Sequence, residues 1–583
     1  MKNLIIMAVF LLLPHVIMTA QEHSQDEAIF NLPAYAGKYN STSLGPNVFV
    51  FDPSMDIKEI QGVLDTIFAR LTIRPSEFTN SRFAIMFKPG SYKLDVKLDY
   101  YMQVLGLGNA PGDVVIEGEL RSNTTHGNSV LTNFWRSAEN LTVIPPGNSK
   151  MVWGVSQAAP LRRIWVKGDL QLFDKGYASG GFLANSKVDG VITSGPQQQW
   201  FTRNSTIKEW VGGVWNMTFL GAEGAPEENW PEKPYTTIGQ TPLAREKPWL
   251  VFENDEFVIR IPSMRKNCSG PDWLSDEQPE KTLRMDRIYI AHADTDNAKT
   301  LNEALKEGKS LLLTPGRYLL DESLRITQAG SVIMGTGFAT LIPRKGNAAV
   351  EIDDVGGVIV CGLTVDAGPM YSEKLFVTGN PGSRKSHSGD PVFLYDIFFR
   401  VGGPAEGSAG TCMEINSSDV IVDHTWLWRA DHGNGVGWNT NKGARGLIVN
   451  GDNVTIYGLF NEHFQEYQTI WNGNNGKVYF YQSEMPYDPP SVESWKHGDT
   501  FGYASYKVAD SVKDHEAWGV GIYCYFRDAP IIVSNAIETP HGVEDNMHHL
   551  VIYWLNGNKG SMVKSIINGK GGGVSAGERK AVR

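Results

Sequence analysis

Cysteine is scarce in this chain. Cys268, Cys361, Cys412 and Cys524 are too few and too scattered for a disulfide framework, though one or two bridges remain open, and none has zinc-site spacing. Long apolar runs are missing after the first twenty residues, so nothing later is long enough to cross a bilayer as a helix. Basic runs are missing too. With a net charge of -11 and a pI near 5.7, neither nucleic acid nor an anionic membrane is an expected partner. There is no His-Glu-x-x-His pattern and no phosphate loop, so no metal and no cofactor is expected.

What is present starts with Met1 to Ala20, which has a basic Lys2, an apolar run from Leu4 to Leu13 and small residues before Gln21. That is the plan of a secretory signal, and it predicts a secreted, extracellular protein. Eight Asn-x-Ser/Thr sequons, at Asn40, Asn123, Asn140, Asn204, Asn216, Asn267, Asn416 and Asn453, are glycan acceptors if the source is eukaryotic. Aromatic residues make up 11% of the chain, with 16 Trp, which suits either a large core or stacking platforms for sugar rings.

An internal repeat organises the chain. Residues 83–108 and 311–337 each read as an apolar strand, Pro-Gly-x-Tyr, Leu-Asp, a second apolar strand and Gly-x-Gly, with Tyr92 and Tyr318 in equivalent places. A helical pattern precedes each copy, with Asp56 and Asp294 near the expected helix starts. Short β-rich segments bounded by Gly, Asn and Asp follow in both halves, which indicates an all-β solenoid over its main rival, a pair of β-sandwiches. The expected fold is two tandem right-handed parallel β-helix sections packed side by side, at 21–262 and 287–568. The polar stretch 263–286 is expected as linker, and the Gly-rich basic end, 569–583, as a flexible tail.

Chemistry concentrates between Asp423 and Pro490. Acid/base work on a glycosidic bond needs a proton donor beside the leaving oxygen and a water or nucleophile on the other face of the sugar. A carboxyl against aromatic rings keeps its proton near neutral pH, and Glu484, among Phe480, Tyr481 and Tyr487, has those surroundings. Glu462, with His463, lies 22 residues earlier, and Asp431, with His432, a further 31. Each spacing is about one β-helix rung, which places the carboxylates near one another on one face. Trp438, Trp471 and Tyr487 are candidate sugar-stacking rings. His515 and Glu516 are expected as cleft-wall or structural residues.

The runs WLWRADH, RGLIV, YGLFNEHFQEYQ and SEMPYDPP, together with WGVSQAAPLRRI, SGGFLANSKVDG and SGPQQQWFTRNSTI in the first half, resemble glycoside hydrolase family 55. The resemblance covers most of the chain from about Asn47 to Phe526. It implies a pectate-lyase-like β-helix fold, an inverting β-1,3-glucanase activity and a polysaccharide or oligosaccharide substrate. It also implies Glu484 as general acid, Glu462 as second cleft carboxylate, and Gln157 and Ser179 as holders of the attacking water, with Gln198 nearby. Asp431 is implied as a sugar ligand or as the group that orients Glu484. The Gly-rich link between Asp431 and Arg445 departs from the family pattern, which leaves linkage and exo or endo action open. A carbohydrate-binding protein without turnover, or a lyase on the same fold, are the alternative functions. The expected assembly is a monomer.

Overall fold

The computed structural model describes residues 36–582 except 42, 73–75, 276–278 and 556. The expected signal at 1–20 lies outside the described residues. Each half opens as the repeat predicts, with one amphipathic helix laid over the first turn of a parallel coil. These helices are α1 (Ile57–Thr72) and α2 (Ala298–Lys306), and each buries an apolar stripe on its own section's core. Asp56 does cap α1, accepting from the backbone N–H of Lys58 at 2.8 Å. The cap of α2 is Asn297 and not Asp294: its side chain accepts from Lys299 and Thr300 while the Thr300 hydroxyl reciprocates. The two repeat tyrosines do the same work. The Tyr92 hydroxyl donates to the carbonyls of Phe51 and Lys88, and that of Tyr318 to the carbonyls of Ala291 and Thr314, tying each opening strand to its first turn.

From there most strands stack in parallel on those of the preceding rung, in a branched first-section sheet of 16 strands and second-section sheets of 13 and 8. Parallel ladders between consecutive rungs exclude a sandwich, whose hairpins run antiparallel. The long strands of the 13-stranded sheet are buried along nearly their whole length, as in Val392–Val401 and Val420–Arg429. One side of each faces the coil interior and the other faces the first section. Each also bends at one stacked position where φ is positive: Gly362, Asp396, His424, Gly458, Phe480, Gly519 and His549 form that row. The bend aims side chains across the seam, so that His424 stacks on Phe182 at 4.4 Å and Phe480 on Phe201 at 5.6 Å.

Polar ladders mark the turns of the second section. Asn472 Nδ2 donates to Asn450 Oδ1, and Asn450 Nδ2 to Asn416 Oδ1, both at 2.7 Å; Asn475, Asn453 and Asp419 form a second ladder. Each amide satisfies the rung below. Sequons Asn140, Asn204, Asn216 and Asn416 are buried, so the folded chain cannot carry a glycan at those four sites.

Three expectations change. The stretch 263–286 is not a bare linker, because Arg265–Cys268 pairs with Thr241–Ala244 and Lys281–Arg284 pairs with Glu256–Ile261. The 569–583 end is not a loose tail either: Arg579–Val582 adds antiparallel to Met547–Trp554, and Trp230 Nε1 donates to the Val582 carbonyl. Pairing with the last rung satisfies backbone groups that a bare sheet edge leaves open. All four cysteines are free thiols, so no bridge forms.

Candidate active site

The candidate site lies at the seam between the sections, where one row of the 13-stranded sheet reaches its strand ends. Arg400, Trp428, Glu462, Glu484 and Tyr523 occupy consecutive rungs of that row. Glu462 and Glu484 are direct register partners, and neighbouring strands lie about 4.8 Å apart. The 22-residue spacing is thus one rung, and the two carboxylates lie side by side facing the first section.

Their partners differ. Glu462, 2% exposed, accepts from Trp426 Nε1 at 2.8 Å on one oxygen and from Gln157 Nε2 at 2.7 Å on the other. Glu484, 8% exposed, accepts from the Tyr487 hydroxyl, and among the described residues its second oxygen has only Gln482 Nε2, at 3.5 Å. Burial raises both carboxyls, Glu484 to about 7. The neighbouring Glu484 raises Glu462 further, and the Asp431 charge adds to Glu484. Two carboxyls so close titrate as a pair that retains a proton near neutrality. Donors on both Glu462 oxygens suit an ionised acceptor, so the shared proton belongs on the freer oxygen of Glu484.

The opposite wall comes from the first section, where consecutive turns stack as the strands do. Gln157 Nε2, besides reaching Glu462, lies 3.4 Å from Ser179 Oγ. The turn carrying Ser179 is held from behind: Ser179 N–H donates to Ser156 Oγ at 2.9 Å and Gly180 N–H to Gln197 Oε1 at 2.7 Å. Gln198 sits on the next turn, its N–H donating to the Ala178 carbonyl. An amide and a hydroxyl thus face the two carboxylates across the seam.

Asp431 lies just past the end of its strand, one rung before Glu462. Its Oδ1 is 2.9 Å from His432 Nδ1 and 4.0 Å from His463 Nε2. Burial opposes its charge, but the His432 ring outweighs that and holds the Asp431 carboxyl below the usual range. His463 packs edge-on to Tyr487 at 4.3 Å, and burial pushes it toward the neutral form. Trp438 is half-buried under the Arg429 guanidinium, 5.5 Å from its ring centroid, and Arg429 in turn holds Asp488 in a bidentate pair.

Trp471 does not belong here. It is fully buried inside the second coil, its ring against His515, because strand alternation turns it inward. His515 is likewise structural, hydrogen-bonded to the Tyr506 hydroxyl at 2.7 Å. Among residues given no individual role from the sequence, Trp426 contributes most, through its bond to Glu462, and Arg429 with Asp488 braces the Tyr487 turn. Trp426, Arg429 and Asp488 all fall within the Asp423–Pro490 stretch, but nothing in their spacing separates them from its other polar and aromatic residues.

The LAM55 pectate lyase-like domain family matches residues 288–484, a span that ends on Glu484. An exo-β-1,3-glucanase of Streptomyces sp. (strain SirexAA-E / ActE) is 45% identical over 520 residues, 88% of this chain and 85% of that protein. The chain belongs to glycoside hydrolase family 55. Two solved structures of sacteLam55A from Streptomyces sp. SirexAA-E agree in fold. The first, at 44% identity, covers 92% of this chain and 98% of that one with a TM-score of 0.89. The second, a glutamate-to-alanine variant in complex with glucose, is 43% identical and covers 93% and 98%, also with a TM-score of 0.89. This family 55 member is therefore a glycoside hydrolase of pectate-lyase-like fold. Among the described residues no cluster of His, Cys, Asp and Glu is arranged to hold a metal ion.

Proposed function

We propose that this enzyme hydrolyses β-1,3-linked glucan with inversion at the anomeric carbon, Glu484 donating a proton to the leaving oxygen. The observation that carries the proposal is the division of labour in one rung pair: Glu462 is saturated by fixed donors, while Glu484 is shielded, raised to about 7 and held on one oxygen by no more than a long contact from Gln482. Gln157 and Ser179 hold the attacking water on the opposite wall. Glu462, bonded to Gln157, keeps that amide aimed and lies nearest to receive the water's proton. Asp431, with His432 and His463 behind it, binds a sugar hydroxyl. Tyr487 and Trp438 line the approach, with Gln198 one turn further along.

The substrate class is supported by the exo-β-1,3-glucanase activity named for the Streptomyces relative and by the glucose bound in the sacteLam55A variant. The relative's name also favours attack from a chain end. The Met1–Ala20 segment supports export, which suits a polymeric substrate outside the cell. Reducing-sugar release from a panel of β-linked glucans tests the reading. Laminarin-type chains should be hydrolysed, and Glu484→Gln should lower kcat by about 10²–10⁴-fold. Binding of laminarin without product would instead mark a carbohydrate-binding protein, and an unsaturated product would mark a lyase.

A further inference from the structure

The turn that follows α1 leaves the first section and seats itself on the second. Phe78 stacks on Trp428 with ring centroids 6.3 Å apart and planes within 9°, and lies 5.8 Å from the His432 ring. Its slot exists because Gly403 and Gly433 have positive φ and no side chain: a Cβ on either would come within 3.0 Å or 2.6 Å of the Phe78 ring. The Tyr101 hydroxyl holds the Glu77 carbonyl at 2.6 Å, and Arg82 reaches across to the Phe338 carbonyl and the Thr340 hydroxyl. From this anchored turn the Glu77 carboxylate stands 2.7 Å from His432 Nε2, while His432 Nδ1 meets Asp431 at 2.9 Å.

A carboxylate oxygen therefore faces each ring nitrogen, an arrangement that a doubly protonated imidazole satisfies on both sides. Deepening the reading of the Glu462–Glu484 pair as the working site, we propose that Glu77 is a positioning residue supplied by the first section, which clamps His432 so that Asp431 is fixed beside Glu484. The groups that face this chain are Glu77 on the turn, Asp431 next to the ring, His463 and Glu484 beyond Asp431, the Arg429–Asp488 pair, and Arg527, whose charge Asp431 favours. Burial penalises the ring's charge, but Glu77 and Asp431 hold His432 well above its ordinary value.

The test uses full-length protein with ¹⁵N-labelled histidine. In the wild type, one imidazole should stay doubly protonated above the usual histidine range, and it is assigned to His432 by its loss in His432→Gln. Glu77→Gln keeps the shape of the turn and leaves Phe78 in its slot, so an unchanged near-UV circular dichroism spectrum serves as the folding check, while Tm should fall where His432 is protonated. In that variant the His432 midpoint should fall by about 1–2 pH units, because one of its two charged partners is gone. Its kcat on β-1,3-linked oligosaccharides should drop about 10-fold above the new midpoint, where Asp431 is no longer held in place, and approach the wild-type rate below it. A His432 imidazole that titrates alike in both proteins, or a rate ratio that does not change with pH, overturns the proposal. The NMR result does not depend on turnover, so it is separable from a failure of the Glu484 assignment.

Discussion

Glu462 and Glu484 are the same residue type on adjacent rungs, and only their partners give them different work. Because the Tyr487 hydroxyl donates to Glu484, it favours the ionised form, and Tyr487→Phe should raise the Glu484 carboxyl and move the alkaline limb of kcat, expected near pH 7 in the wild type, upward. A limb that stays in place would detach Tyr487 from the acid. The same shift carries a stability consequence. A carboxyl raised from 4.5 to about 7 by folding leaves the native state protonated while the unfolded chain ionises, so stability falls as pH rises from about 4.5 to about 7 and then levels off. Glu484→Gln lacks that loss: its Tm should match the wild type near pH 4 and exceed it by a few degrees at pH 8.

At the scale of the elements, the rung spacing and the repeated Pro-Gly-x-Tyr opening are legible in the sequence because both follow from the period of the coil. The row of bent positions is not, since Gly362, Asp396, His424, Gly458, Phe480, Gly519 and His549 share a backbone conformation and no side-chain chemistry. Trp471 is misread from sequence for a different reason: a tryptophan beside a cleft and one inside the coil look alike until strand phase is known, and Thr469–Trp471 is too short for its alternation to show in the sequence. The strand Arg579–Val582 is hidden by its glycine-rich approach, and its pairing depends on a sheet edge that only the finished coil supplies. Glu77 carries no signal, because its partner is 355 residues away. The asparagine ladder makes its own prediction. Asn450→Ala removes one bond to Asn416 and one from Asn472, and should cost about 1–3 kcal/mol in urea unfolding with little change in kcat.

At the scale of the whole molecule, the two coils are locked by charges that neither could bury alone. Arg162 pairs with Asp396, Lys247 joins Asp396 to Glu139, and Arg203 holds both Glu246 and Asp423, all deep in the seam. Removing one partner strands the others, so Arg203→Ala should lose about 3–5 kcal/mol of stability by thermal or denaturant unfolding. The same seam brings Gln157 and Ser179 to Glu462 and Glu484, which makes the site a property of the pair of coils. If the first section holds the water and the second supplies the acid, attack and departure occur on opposite faces of the sugar. The direct measurement is ¹H NMR of the anomer first released from a β-1,3-linked oligosaccharide, before mutarotation. The α anomer should appear first; first appearance of the β anomer would contradict the assignment of the water to Gln157 and Ser179.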